Sequence, residues 1–464
     1  MENFKWYRDF LNPLLLSKIY QEVKICLSLA LPLAIAQISE LSIIAFDTWT
    51  MGRLGSQILA GGALGYMTFR YIFTIGLCTI SAINTVSSIA FGAKELQKLS
   101  YIPTQGFYLS LILALPMMVI LGSASIWMNF LGQEAANIYL AQSYLKAVLW
   151  GLPALFCYEV LRNVLVAINR PKMITAIATF SIFLNAGANY IFAFGKFGLP
   201  NLGLAGIGWA TTTVFWFQLS AALIFILLSP DLAEYKLINT KFPFQLSVFK
   251  EIIKIGWASG GHWISAGGST LVLVYLFGYL GSVPLAAYQI ARQMNNIIRH
   301  IILGLAQAVT ARVGQMYGQQ DKRGVQYAGF VGLAIGIFGT VIYLIFIAIN
   351  RASIVSIFLT PKTTNDFAVF QLACIFLIVV ALLQIVNELD TISTAALLGI
   401  KDTKIPMLIG LFSHWGIGLG SVYLLTFYWH FQGVGLMLSE YLAMLLPAIA
   451  FPLRFYLKTR KLTF

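Results

Sequence analysis

Two carboxylates, Glu40 and Asp47, lie seven residues apart in SELSIIAFDTWTMGRLG (39–55), near the end of a long apolar stretch. At 100° per residue, seven steps fall about 20° short of two full turns. Both acids therefore share one helix face, ~10 Å apart along the axis. An ionised Asp at the centre of a membrane helix costs roughly 2.5–3.5 kcal/mol. Burial disfavours the charged form, so such an acid binds a proton when dehydrated and releases it when water arrives. The chemistry on offer is reversible cation binding. One charge crossing 100 mV supplies about 2.3 kcal/mol, equivalent to roughly a fiftyfold concentration gradient.

The elements that must hold these acids follow from composition. The 464 residues are 59% hydrophobic and 10% charged, with mean hydropathy +0.81, whereas soluble chains carry about 25% charged residues. Apolar runs of about 20 residues recur, each long enough to cross a ~30 Å hydrocarbon core. They do not alternate as the strands of a membrane β-barrel would. The expected fold is all-α and polytopic, with twelve transmembrane helices near 24–51, 57–90, 103–131, 138–167, 173–195, 203–229, 249–278, 283–317, 323–350, 366–399, 405–428 and 433–457.

The net charge of +13 reads as topology rather than as nucleic-acid binding. With the N-terminus inside, most Lys and Arg fall on the cytoplasmic segments, from Lys5 and Arg8 to Lys458, Arg460 and Lys461. Only Arg53, Lys196, Arg351 and Lys362 fall outside. Both termini are therefore expected in the cytoplasm, with some affinity for anionic lipid. The N-terminal MENFKWYRDFLNPLLLSKIYQEVK is not a cleavable signal peptide and reads as an interfacial amphipathic helix. Cys26, Cys78, Cys157 and Cys374 stand singly in apolar stretches and read as packing residues.

The chain repeats itself. LGSQILAGGALG…SSIAFGAKE (54–95) aligns without gaps on LGSVPLAAYQIA…ARVGQMYGQQD (280–321), 226 residues later. Farther on, VAINRPK (166–172) resembles LGIKDTK (398–404), and GIGWA (206–210) resembles GVGLM (433–437). The expected organisation is a cytoplasmic segment (1–23), an N lobe (24–229), a cytoplasmic linker (230–248), a C lobe (249–457) and a cytoplasmic tail (458–464). Six spans per half give parallel repeats, with a central cleft as the natural substrate site.

The order LALPLAIAQISELSIIAFDTWTMGRLGSQILAGGALG (29–65), SSIAFGAKE (87–95) and AALLGIKDTKIP (395–406) resembles the multidrug and toxic compound extrusion (MATE) transporters over nearly the whole chain. The FDTxxxGRLG core looks closest to the NorM-like branch. The resemblance implies two pseudo-symmetric six-helix lobes forming a V in a plasma membrane. It also implies antiport of small organic compounds against H⁺ or Na⁺ by alternating access. No cofactor beyond the coupling ion and no partner beyond membrane lipid is implied, and a monomer is expected. Of the family's acidic positions, the helix 1 aspartate is retained as Asp47. The glutamate expected on helix 7 is replaced by Ala266, and the acid on helix 10 by Asn387.

Position 266 is the repeat counterpart of Glu40, so Glu40 and Asp47 are expected to form the main cation pathway in the N lobe. His262 and Asp390 lie about one turn from Ala266 and Asn387 and are expected to meet as a displaced C-lobe pair. Pro32, about two turns before Glu40, removes a backbone hydrogen bond and serves as a hinge or a static kink. Arg70, Asn295, Asn296, Arg299, Asn387 and Glu388 are candidates for the cleft lining, with Arg70 a possible counter-charge for Glu40; Arg292 and His300 share their setting. Each also has a plain reading as inter-helix bonding. Glu159 and Arg162 read as a structural ion pair, and His414 and Glu440 as isolated structural residues. The aromatic share of 14% serves belts, lipid-facing bulk or a stacking cleft.

Two other functions compete. A lipid-linked saccharide flippase shares the two-lobed architecture and needs a cationic cleft, for which Arg70, Arg292 and Arg299 are available. An intramembrane enzyme would need a motif such as HExxH or GxSxG, and the sequence has neither. Altered sodium ligands in the C lobe make H⁺ the favoured coupling ion over Na⁺.

Overall fold

A computed structural model of the chain describes residues 13–238, 244–360 and 363–464. Lys5, Arg8, Lys241 and Lys362, and the first half of the N-terminal segment, lie outside the described residues. Twelve long helices follow in order: α1 (Pro13–Leu54), α2 (Ser56–Gly92), α3 (Leu96–Gly122), α4 (Ala135–Ala167), α5 (Pro171–Phe194), α6 (Gly203–Leu228), α7 (Leu246–Tyr279), α8 (Ser282–Gly318), α9 (Lys322–Phe358), α10 (Thr364–Gly399), α11 (Lys404–Thr426) and α12 (Gln432–Arg460). No strand occurs among the described residues. Eleven of the helices are long and apolar enough to cross a membrane by length and composition, and α7, at 34 residues, completes the set.

The internal duplication is written into the backbone. Residues with positive φ occur as matched pairs at the helix junctions: Gly55 (126°) with Gly281 (114°), Lys94 (56°) with Gln320 (59°), Asn169 (62°) with Lys401 (60°), and Gly203 (53°) with His430 (55°). Three of the pairs fall on the aligned segments, and Gly203 with His430 lies three residues before the start of the last one. A left-handed residue stops a helix by turning the chain out of the α path. Matched stops place these helix junctions at equivalent points in the two halves, even where the residue type has changed.

By internal contacts the chain forms two units. Residues 35–257 make one, and residues 1–34 with 258–464 make the other. Each half therefore lends the beginning of its first helix to the other unit. In the second unit, Pro13–Ala34 of α1 packs on α8. A Cβ on Gly304 would stand 2.6 Å from the Ala34 backbone nitrogen, so only glycine allows the approach. Below that contact, buried Arg312 grips buried Glu22 bidentately, Nε to Oε1 at 2.9 Å and Nη2 to Oε2 at 2.7 Å. In the first unit, Gly256 of α7 sits against Thr79 of α2, where a Cβ would lie 2.9 Å from the Thr79 Cα.

Some helix boundaries differ from expectation for identifiable reasons. Residues 13–23 are not a separate interfacial helix; they are the opening turns of a continuous 42-residue α1. Pro13 is tolerated at a helix start, and LLLSKIYQEVK contains no breaker. Pro32 lies inside α1 without ending it, and the boundary between units falls just after it, at Ala34. α3 begins at Leu96 rather than 103, because Pro103 sits within the helix instead of opening it. α11 contains a π-helical stretch, Phe412–Gly418, which carries His414, and a second, Tyr423–Tyr428, begins within it and runs past its end.

Candidate functional site

Asp47 on α1 is 7% exposed and faces α5 and α6 within its own unit. The Nδ2 groups of Asn185 and Asn189 donate to its Oδ1 at 3.0 and 2.7 Å, and the Thr211 hydroxyl donates to Oδ2 at 3.3 Å. Asn185 and Asn189 are one turn apart on α5, and Asn189 also donates to Asn185 Oδ1 at 3.2 Å. All three partners are neutral. Among the described residues no cationic side chain pairs with Asp47. Among the described residues the carboxylate is thus held by neutral dipoles alone, an arrangement able to take up a proton or a cation.

Glycine sets this geometry. At Gly206 on α6 a Cβ would lie 2.5 Å from the carbonyl carbon and oxygen of Phe192 on α5. Backbone cannot yield there, so α6 is clamped to α5 within a turn of Asn189 and five residues from Thr211. A Cβ on Gly208 would likewise lie 2.7 Å from the Tyr144 carbonyl oxygen of α4. Gly206→Ala is expected to cost about 1–3 kcal/mol through overpacking and to loosen the Asp47 cage. Thermal unfolding in detergent, read beside efflux, checks this.

Glu40 has a different environment. Its Oε1 lies 3.1 Å from Arg162 Nη1 of α4, which also holds Glu159 Oε1 at 3.0 Å. The expected Glu159–Arg162 pair exists, with Glu40 as its third member. Arg70 does not neutralise Glu40; Arg70 is exposed, and buried Arg162 takes that place. Two carboxylates on one guanidinium leave the group a formal charge of −1. The Glu40 side chain is 35% exposed, whereas Asp47 is buried. The two acids share a helix face but not a set of partners.

The second unit holds a separate constellation. His262 Nε2 of α7 is 3.4 Å from Asp390 Oδ1 of α10, and the Thr394 hydroxyl donates to the same oxygen at 3.2 Å. The two residues singled out from sequence do meet. Gly410 on α11 makes room for the imidazole, since a Cβ there would strike the His262 ring. His414 is not isolated: its ring centroid is 6.2 Å from that of His262, presented by the π-helical turn of α11. Such widened turns often mark functional positions. Glu440 is not isolated either; Tyr288 donates to it at 3.2 Å and Arg292 lies 3.8 Å away. His414 and Glu440, with Ser269 and Ser439, line one small cavity.

The residues assigned to the cleft are dispersed. Asn295 and Asn387 both donate to Gln384 Oε1, at 2.9 and 3.3 Å, which makes a bridge between α8 and α10. Asn296 donates to Gln293 on its own helix, at 3.5 Å. Arg299 is half-buried. Glu388 does not line an open surface: it is 0% exposed and closed in against α9. The residues missed from sequence are Asn185, Asn189, Thr211 and Gln384. The signal was present in NAGAN, two amides at helical spacing in an apolar helix.

Twelve long apolar helices in two repeated halves, with carboxylates buried among them, define a multi-pass α-helical membrane protein. The MatE family model matches residues 32–191 and 264–424, one stretch in each half. The probable multidrug resistance protein NorM of Synechococcus sp. (strain ATCC 27144) is 31% identical over 449 residues, 97% of each chain. The protein of the same name from Pseudomonas putida is 30% identical over 441 residues, 95% of this chain and 96% of that one. Among solved structures, the outward-facing conformation of a multidrug resistance MATE family transporter of the MOP superfamily superposes with TM-score 0.86 at 17% identity, covering 95% and 97% of the two chains. The eukaryotic MATE transporter AtDTX14 superposes with TM-score 0.82 at 18% identity, covering 96% and 98%. The chain belongs to the MATE family, and it is a transporter rather than an enzyme.

Proposed function

We propose that this chain is a multidrug exporter that expels organic cationic or amphipathic compounds in exchange for inward H⁺ movement, with Asp47 as the principal coupling carboxylate. The observation that carries the reading is the buried Asp47 held by three neutral donors and no counter-charge. A proton neutralises it without further ligands. Sodium is a hard cation that needs several oxygen donors, whereas both amides turn their N–H groups toward Asp47. The names of the NorM relatives support drug export. The Lys and Arg distribution supports cytoplasmic termini and insertion in a plasma membrane, and nothing in the reading requires more than a monomer.

The coupling cycle follows from the geometry. In a dehydrated cage the neutral acid is favoured. When water reaches α1 from the side of low proton concentration, the ionised form is stabilised and the proton leaves. The three donors to Asp47 then strengthen, because hydrogen bonds to a charged acceptor are the stronger kind. That change biases the packing of α1 on α5 and α6, and Pro32 is the natural flexing point.

Glu40, which stays partly exposed beside Arg162, acts as the entry group for the cation. Glu40→Gln is expected to slow efflux without abolishing it, because Arg162 keeps Glu159 as partner. Wild-type rates in this variant would remove Glu40 from the pathway. A flippase reading is weakened by Arg292, which Glu440 and Tyr288 already engage. The deciding experiment is dye efflux from proteoliposomes under a pH gradient or a Na⁺ gradient imposed separately. Efflux is expected with the first and not the second; the reverse result overturns H⁺ coupling.

A further inference from the structure

Glu388 lies outside both constellations described above. Its side chain is fully buried in the interface of α9 and α10. The Thr340 hydroxyl of α9 donates to Oε2 at 3.0 Å. The other oxygen, Oε1, has no hydrogen-bond partner among the described residues. Gly336, one turn before Thr340, leaves the space that Oε1 occupies, so a larger residue would collide with the carboxyl. In sequence, the titratable residues next to the pair are Tyr343, three beyond Thr340 on α9, and Asp390, two beyond Glu388 on α10. α10 also packs on α8, which carries Arg292, Arg299 and His300, and on α12, which carries Glu440. The Tyr343 hydroxyl has no hydrogen-bond partner among the described residues, and Asp390 is engaged with His262 and Thr394. Among the described residues no cationic side chain pairs with Glu388.

A carboxylate in this position would be a bare charge with one neutral donor in the middle of a membrane helix pair. Proteins compensate such a charge by pairing it or by neutralising the group. The pairing partner is missing, and one hydroxyl is too few oxygen donors for a metal cation. The duplication adds an independent comparison. Counting back from the matched left-handed residues Asn169 and Lys401, the position equivalent to Glu388 is Phe156, also fully buried. The fold closes the same position with a hydrocarbon ring in one half, so it does not require an acid there.

We infer that Glu388 and Thr340 form a second proton-binding site, closed in this conformation, in which Glu388 is a neutral carboxylic acid with its proton on Oε1. The site is distinct from Asp47 and from the Asp390–His262 pair, and it opens only when α9 and α10 part. No bond other than O–H forms or breaks.

Infrared spectroscopy of the full chain in lipid vesicles tests this. A neutral acid shows a C=O stretch that a carboxylate lacks, and the band moves on exchange of O–H for O–D. The difference spectrum between wild type and Glu388→Gln at neutral pH is expected to contain one such band, which moves slowly after transfer to D₂O. Isotopic labelling of glutamate but not aspartate carboxyls is expected to shift the same band, and it serves if the variant folds poorly. Three results overturn the inference: carboxylate bands in place of the acid band, a shift complete on mixing, or loss of the band on adding Na⁺ at constant pH.

Discussion

Asp47→Asn is expected to reduce gradient-driven efflux to the rate of vesicles without protein, while the chain still inserts and folds. The replacement keeps the size and one acceptor oxygen but removes the ability of this position to take up and release H⁺. Its new NH₂ group faces Asn185 and Asn189, whose amides currently donate into the carboxylate at 3.0 and 2.7 Å. Those amides can rotate to present their oxygens, so the local cost is held to about 1–2 kcal/mol, the scale of one poorly made hydrogen bond. The checking measurement pairs dye efflux with thermal unfolding of the same preparation. Efflux at wild-type rate removes Asp47 from the coupling step. Asn189→Leu, which deletes the shortest donor, is expected to lower the rate without abolishing it, because the acid survives.

Arg312→Met is expected to destabilise the chain by about 3–5 kcal/mol, the cost of stranding one member of a buried ion pair. Arg312 holds both oxygens of Glu22 and also donates to Gln315 Oε1 at 2.8 Å. Removing the guanidinium leaves the Glu22 carboxylate buried without compensation. The paired change Glu22→Leu with Arg312→Met is expected to recover most of the loss, because two apolar side chains of similar volume replace the pair without leaving a charge. A double-mutant cycle in detergent, followed by unfolding, measures this coupling. Near-additive effects would mean that the pair does not tie α1 to α8. The pair matters beyond stability: it fixes the first turns of α1 to α8, while residues 35–54 of the same helix belong to the other unit.

Much of this was legible in the chain. Apolar runs gave twelve helices with ends mostly within a few residues, because a lipid-crossing segment must satisfy its own backbone and has few alternatives to a helix. Boundaries slipped where polar residues continue a helix past the hydrocarbon, as at Pro13–Lys24 of α1. The repeat was visible in aligned segments and returns as four matched pairs of positive-φ residues. Asp47 stood out because an acid is costly in a membrane helix. Its cage was less visible: Asn185, Asn189 and Thr211 are common residues, and their meaning lies in which helix they face.

Glu40 shows the limit of one-dimensional reading. Its position on the Asp47 face follows from helical geometry, but its counter-charge is Arg162, 122 residues away, and not Arg70. Glu388 shows it from the other side. One step of 100° along α10 separates a residue that bridges to Gln384 from one sealed against α9.

The sequence by itself determined the membrane environment, the helix count, the duplication and the presence of acids that need a charge partner. These depend on composition, periodicity and local backbone preference, which each segment carries alone. The tertiary structure decided which acid is caged, which is paired and which is left with a bare oxygen, and where each half exchanges the start of its first helix. Those outcomes depend on glycine-permitted approaches such as Gly206 on Phe192 and Gly304 on Ala34. The energy of a buried charge is set by the few atoms within hydrogen-bonding reach, and distant stretches of chain supply them only once the helices have packed.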